Sequence, residues 1–207
     1  MLIVLTGIDG SGKTTAARAT VDAARASGQD SLLLRNYAGR QWMTVMSAKY
    51  GIRIPSWLAD AAETAVRTAN VLISHVRAHR FPGLAVMDRH LYCQLALRQA
   101  RGLPRGRFLP LLLRMLPEPD LIVQFVVDPE QAHRRIMLRG TDAETVEELS
   151  AFSAGYRALP EYSKFVELPA GGTPDEVLSA LTRTIDAAQK RSGTWTRGRT
   201  LLRRARG

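Results

Sequence analysis

The chain has 207 residues, 45% of them hydrophobic and 23% charged, which is enough for one domain with a full core. Its only cysteine, Cys93, excludes an internal disulfide and fits a reducing cytoplasm, and no Cys/His cluster has zinc spacing. No stretch approaches the roughly 18 apolar residues that cross a bilayer, and the apolar start Leu2–Leu5 is too short for a signal peptide. The net charge of +10 is unevenly placed: Lys190, Arg191, Arg197, Arg199, Arg203, Arg204 and Arg206 occur with no acid among them. Without these seven, 22 bases face 19 acids, a net of +3. The chain therefore divides into a folded body over 1–189 and a basic tail over 190–207. A solvated end is the favoured reading of the tail, ahead of contact with nucleic acid or an anionic membrane.

In chain order, Leu2–Thr6 reads as a buried strand running into glycines, and Lys13–Ala26 as a helix closed by Gly28. Ser31–Arg35 is a second strand, Trp57–His79 a long helix started by Pro55–Ser56, and Leu84–Asp88 a third strand. Leu91–Arg101 and Arg105–Met115 read as helices broken at Gly102–Pro104. A fourth strand, Leu121–Val127, stops at Asp128–Pro129. Helices over Glu130–Leu138 and Ala143–Leu159 flank a polar junction, followed by a strand at Phe165–Leu168 and a helix at Pro174–Gln189. Short apolar strands alternating with helices predict an α/β fold, a parallel sheet covered on both faces.

Gly7-Ile8-Asp9-Gly10-Ser11-Gly12-Lys13-Thr14 satisfies G-x-x-x-x-G-K-[ST] between a predicted strand and a predicted helix. Backbone N–H groups of such a loop point at phosphate oxygens, the lysine reaches the terminal phosphates, and the hydroxyl ligates Mg²⁺. GTPases, ATPases and small-molecule kinases all carry this loop, so it does not name a reaction. Ala85-Val86-Met87-Asp88 is an apolar strand ending in an acid, the form of a magnesium-holding Asp. There is no N-K-x-D, and no D-x-x-G outside the loop itself, which argues against a GTPase. Arg89, directly after Asp88, suits a second phosphate group on an acceptor, because a guanidinium binds phosphate bidentately. His75, His79, His90 and His133 lack ligand spacing and read as structural or solvent-facing.

The ordered set Thr6 to Thr15, Asp88-Arg89-His90, Ala96, Arg101-Gly102-Leu103-Pro104, Pro119-Asp120-Leu121, Asp128-Pro129-Glu130, Arg135-x-x-x-Arg139-Gly140 and Tyr156-x-x-Leu159 resembles the thymidylate kinase family of P-loop nucleoside monophosphate kinases. The resemblance covers roughly Leu2 to Leu181. It implies a three-layer P-loop kinase fold, a five-stranded parallel sheet, a short lid, and transfer of the ATP γ-phosphoryl group to dTMP or a related deoxynucleotide. Carried over, Gly7, Ile8, Asp9, Gly10, Ser11, Gly12, Lys13, Thr14 and Thr15 would hold ATP, and Thr14 and Asp88 would hold Mg²⁺. Asp9, Arg35, Arg67 and Arg89 would meet the acceptor: Asp9 at the sugar 3′-hydroxyl, Arg35 and Arg89 at its phosphate. Arg135 would lie against adenine, and Arg139, in the lid Arg139-Gly140-Thr141-Asp142, would stabilise charge on the transferred group. A homodimer is the assembly the resemblance implies.

The chain departs from that pattern at two places. Where the bacterial family reads Arg-Glu-Pro-Gly-Gly-Thr, it has Arg35-Asn36-Tyr37-Ala38-Gly39-Arg40. Where the family stacks the base on Phe, Glu63 stands four residues before Arg67, and the expected Tyr and Gln appear as Leu97 and Arg98, with Gln99 one position on. Tyr37, Trp42 and Trp57 are the aromatic residues in reach of that role, although core packing suits them better. A different phosphorylated or hydroxylated acceptor, and a non-catalytic ATP-bound module, are the alternatives.

Overall fold

A computed structural model describes residues 1–36, 56–140 and 144–192, with backbone alone for 56–63 and 192. The strands are β1 (Leu2–Gly7), β2 (Ser31–Arg35), β3 (Leu84–Asp88), β4 (Leu121–Val126) and β5 (Val166–Pro169). The helices are α1 (Lys13–Ala26), α2 (Ser56–Arg80), α3 (Leu91–Ala100), α4 (Phe108–Met115), α5 (Pro129–Arg139), α6 (Val146–Arg157) and α7 (Pro174–Ser192), with a 3₁₀ turn at Pro160–Lys164. Among the described residues no helix is long and apolar enough to cross a membrane.

Each predicted strand forms, within one residue of its expected ends. The helix starts differ where local chemistry intervenes. Gly106 adopts φ 70°, a left-handed turn that delays α4 to Phe108 instead of Arg105. The Thr145 hydroxyl accepts from the Glu148 N–H while the Glu148 carboxylate accepts from the Thr145 N–H, so a capping box begins α6 at Val146 and not at Ala143. Asp128 caps α5 through the N–H groups of Glu130 and Gln131, with Pro129 in the first turn. At the other end of the chain, α7 runs on to Ser192, past the expected Gln189, with Lys190 and Arg191 in its last turn, where cations suit the helix dipole.

The sheet is all parallel in the order β2-β3-β1-β4-β5. All five residues of β3 are buried, as are Ile3, Val4 and Leu5 of β1 and Val123 of β4, because helices cover both faces. The chain leaves β1 for β2 and β3 on one side, then crosses to β4 and β5 on the other. The loops at the carboxyl ends of β1 and β3 thus diverge around a crevice, where ligands of open α/β sheets bind.

Two packing features carry measurable consequences. In α6, a Cβ on Gly155 would fall 2.3 Å from the carbonyl oxygen of Ala96 in α3 and 3.2 Å from the Ala100 nitrogen. The two helix backbones approach too closely for a methyl group. Gly155→Ala would gain about 1 kcal/mol in helix propensity but lose about 1–3 kcal/mol to overpacking against rigid backbone. The expected result is a melting temperature lowered by several degrees, read by thermal unfolding.

His75 on α2 and His90 before α3 are both buried, with their Nε2 atoms 2.8 Å apart, so one ring donates and the other accepts. Burial holds both below the ordinary histidine value, and for His90 the neighbouring His75 adds to the effect. The unfolded chain therefore takes up protons before the native one as pH falls. The stability of the neutral pair is complete above about pH 6.5 and is lost as pH falls through the native values, by up to about 1.4 kcal/mol per pH unit for each ring. Thermal melts from pH 7 to pH 5 should show this slope in the wild type and a shallower one in His75→Gln/His90→Gln.

Candidate active site

The phosphate loop joins β1 to α1. A Cβ at Gly10 would lie 2.4 Å from the Ala132 carbonyl oxygen of α5, and one at Gly7 would lie 2.7 Å from that of Phe125 in β4. Gly10 also has φ 77°, so both space and backbone conformation require glycine there. Lys13 is 4% exposed and folds back over the loop, its Nζ donating to the Ile8 carbonyl at 2.5 Å and to Ser11 Oγ at 3.1 Å. Burial pulls its pKa below the ordinary lysine value, and among the nearby charges Asp9 does most to offset this. Gly12 precedes the first turn of α1, and open space surrounds its Cβ position. Thr15 is exposed on α1.

On the neighbouring strand, β1–β3 pairing sets Asp88 opposite Leu5. The Thr14 hydroxyl donates to Asp88 Oδ2 at 2.6 Å, while the buried Asp88 Oδ1 has no hydrogen-bond partner in the protein. A hydroxyl and an incompletely satisfied carboxylate are the hard oxygen donors that Mg²⁺ takes, with water completing its shell. Arg89 donates from Nη2 to Asp9 Oδ1 across the mouth of the loop. Burial opposes the charge of Asp9, but Arg89 and Lys13, with hydrogen bonds to Glu144 and Arg89, hold its carboxyl below the usual range. Burial likewise opposes the charge of Arg89, and attraction led by Asp9 outweighs it.

Arg89 has φ 73°, and no other non-glycine among the described residues has a positive φ. Such a backbone costs about 1–2 kcal/mol for an L-residue. It is held at both ends: the Arg89 N–H donates to the Leu5 carbonyl at 3.2 Å, and its own carbonyl accepts from Asn36 Nδ2 at 2.6 Å. Asn36 Oδ1 in turn accepts from Ser74 Oγ of α2 at 2.8 Å. Tyr156 of α6 is fully buried, its phenol pushed up by burial and donating to the Gly7 carbonyl at 3.4 Å.

The remaining expected residues are spread around this centre. Arg35 ends β2 opposite Asp88, so it stands two strands from the loop at the same sheet edge. Arg67 of α2 lines a small cavity of about 70 Å³ with Gln94, Leu97 and Arg98 of α3. Gln99 is exposed and does not enter it. Arg135 of α5 donates to the carbonyls of Ala170, Gly171 and Gly172, pinning the loop after β5. Arg139 is exposed at the end of α5, bonded to the Arg135 carbonyl at 3.3 Å. A wider groove of about 920 Å³, walled by Tyr92, Arg105, Leu113 and Lys164, takes in no phosphate-loop residue. Tyr37, Trp42, Thr141, Asp142, the side chains of Trp57 and Glu63 and the tail beyond Ser192 lie outside the described residues.

Sequence reasoning passed over three polar residues of this region. Gln94 is buried with its Nε2 unpartnered, and its Oε1 faces the Thr68 hydroxyl. Glu144, in the segment just ahead of α6, is hydrogen-bonded to Asp9. Asn36 registered only as a departure from the family pattern, although its position directly after Arg35 was a usable signal. For Gln94 and Glu144 no local signal existed, because only the packed fold decides which side chains meet the site.

Comparison with known proteins bears on this arrangement. The family model described as thymidylate kinase matches residues 5–180. A probable thymidylate kinase of Pyrococcus horikoshii is 33% identical over 178 residues, covering 80% of this chain and 76% of that protein. A thymidylate kinase of Xanthomonas campestris pv. campestris is 31% identical over 199 residues, covering 91% and 84%. One of Xylella fastidiosa is 28% identical over the whole of both chains. With the phosphate loop, the Asp88–Arg89 pair and the five-stranded parallel sheet in place, this chain belongs to the thymidylate kinase family.

Proposed function

We propose that this chain transfers the γ-phosphoryl group of ATP to dTMP, or to a closely related deoxynucleoside monophosphate, giving ADP and the diphosphate. The observation that carries this reading is the Asp9–Arg89 pair set beside Lys13, Thr14 and Asp88. A nucleotide switch has no use for an acceptor-side cation and carboxylate at that point. Gly7 to Thr14 bind the triphosphate, and Lys13 exchanges its bonds to Ile8 and Ser11 for phosphate oxygens. Thr14 and Asp88 would hold the Mg²⁺ that accompanies ATP, which would neutralise charge on the phosphates. Arg89 draws donor and acceptor phosphates together, and Asp9 receives the acceptor sugar hydroxyl. Arg35 supports the acceptor phosphate from the sheet edge. Arg139 closes with the lid over the transferred group, excluding water, while Arg135 flanks adenine. Phosphoryl transfer of this kind needs alignment and charge compensation, and both are supplied by groups already fixed in the fold.

The base meets Arg67 and the unpartnered amide of Gln94. Leu97 and Arg98, where the family has Tyr and Gln, are the specific observation favouring a second reading, in which the acceptor is a different phosphorylated small molecule. The reading places the protein in the cytoplasm, beside its substrates. It also includes a homodimer, supported by Val66, Ile73 and Val76, which α2 leaves 45%, 57% and 52% exposed along one face.

With ATP, Mg²⁺ and each nucleoside monophosphate supplied separately, ADP release should be stimulated most by dTMP. Release indifferent to the acceptor would sink the reading. In the same assay Lys13→Ala and Arg89→Ala should lower kcat by about 100-fold or more, on the scale of losing a transition-state charge contact. A chain ending at residue 192 should keep nearly full activity. Ile73→Glu should shift the protein to monomer in analytical ultracentrifugation, and a wild type that sediments as monomer would remove the dimer.

A further inference from the structure

Arg89 needs a backbone conformation that its own side chain disfavours, and glycine, which would adopt it freely, has no guanidinium. Something outside the residue must therefore hold it. The N–H is fixed by the Leu5 carbonyl, an ordinary extension of sheet bonding between β1 and β3. The carbonyl is fixed by a side chain, the 5% exposed Asn36. Asn36 is itself placed by two bonds, from its own N–H to the Asp88 carbonyl at 3.2 Å and from Ser74 Oγ to its Oδ1 at 2.8 Å. The amide thus links the end of β2, the middle of α2 and the turn that follows β3. Only an amide fits this place. Its oxygen must accept from Ser74 while its nitrogen donates to a carbonyl, and an ionised carboxylate of the same size has no proton to donate.

We infer that Asn36 is a positioning residue for phosphoryl transfer, holding the Arg89 backbone in its left-handed conformation so that the guanidinium meets Asp9 and the phosphates. The inference rests on the proposed role of Arg89. It also gives a physical reason for the departure at this position, where an acid of the family pattern gives way to an amide with a donor to offer.

The test is steady-state kinetics with ATP, Mg²⁺ and dTMP on the full chain, with thermal melts alongside. Asn36→Asp keeps the size and the bond from Ser74 but puts a carboxylate against the Arg89 carbonyl. It should lower kcat by about 10- to 100-fold, the scale of a misplaced catalytic group, with KM for ATP within about threefold. Its deficit relative to wild type should shrink as pH falls, because the introduced carboxyl regains a donor once it is protonated. In an Arg89→Ala background the same change should cost less than about threefold, since nothing is left to aim. Ser74→Ala, which frees only the far end of the amide, should give a smaller kcat loss at an unchanged melting temperature, and it carries the test if Asn36→Asp does not fold. Wild-type kcat in a folded Asn36→Asp, an equal loss in both backgrounds, or a deficit indifferent to pH would overturn the inference. If Arg89→Ala is itself fully active, the parent role of Arg89 falls and this falls with it. If Arg89→Ala is inactive while Asn36→Asp is normal, only Asn36 is wrongly assigned.

Discussion

Parallel pairing of β1 with β3, in the register that sets Leu5 opposite Asp88, is the constraint on which the rest of the site depends. It brings the loop after one strand against the acid and cation that end another, although some 80 residues separate Asp9 from Arg89 in the chain. The Thr14–Asp88 bond, the Arg89–Asp9 pair and the Arg89 N–H bond to Leu5 all follow from that adjacency. A slip of one residue would turn every side chain of β3 to the opposite face, and burial of the whole strand makes such a slip costly.

The charges gathered there would each be unfavourable alone. Lys13 and Asp88 are nearly inaccessible, and burial works against the ionised forms of Lys13, Asp9 and Arg89. Together they compensate, Lys13 and Arg89 against Asp9 and Asp88, with the loop supplying carbonyl and hydroxyl partners for the ammonium. Lys13 and Arg89 are gathered at the loop, where exchanging protein partners for phosphate oxygens takes local side-chain shifts, and the proposed transfer relies on that preorganisation. The backbone strain at Arg89 is local and is opposed by two hydrogen bonds, from the Leu5 carbonyl and from Asn36, the latter braced by Ser74.

Membership of the thymidylate kinase family rests on a match over residues 5–180 and on relatives 33% and 31% identical across most of the chain. The surroundings of Arg67 are more individual. The wall of α3 that faces Arg67 presents Gln94, Leu97 and Arg98, a different mixture of size, polarity and charge from the family's Tyr and Gln. In the proposed reading such changes alter what a base meets, while the phosphate loop and Asp88 lie on other elements.

Local patterns along the chain were enough to read the elements and the phosphate loop. A run such as Leu84-Ala-Val-Met-Asp88 has few ways to bury itself other than as a covered strand, and a glycine-rich turn ending in Lys13-Thr14 carries its chemistry in consecutive residues. Arg89 stood out as a cation beside Asp88, and the family resemblance added Arg35 and Arg67. Tertiary structure alone decided what lies between elements: that Asn36 reaches the Arg89 carbonyl and Ser74, that His75 and His90 share one buried contact, that Gln94 faces Arg67, and that Arg135 grips the loop after β5. Local patterns report periodicity and backbone preference. Which polar side chains meet depends on strand order, register and helix rotation, all fixed only when the whole core packs.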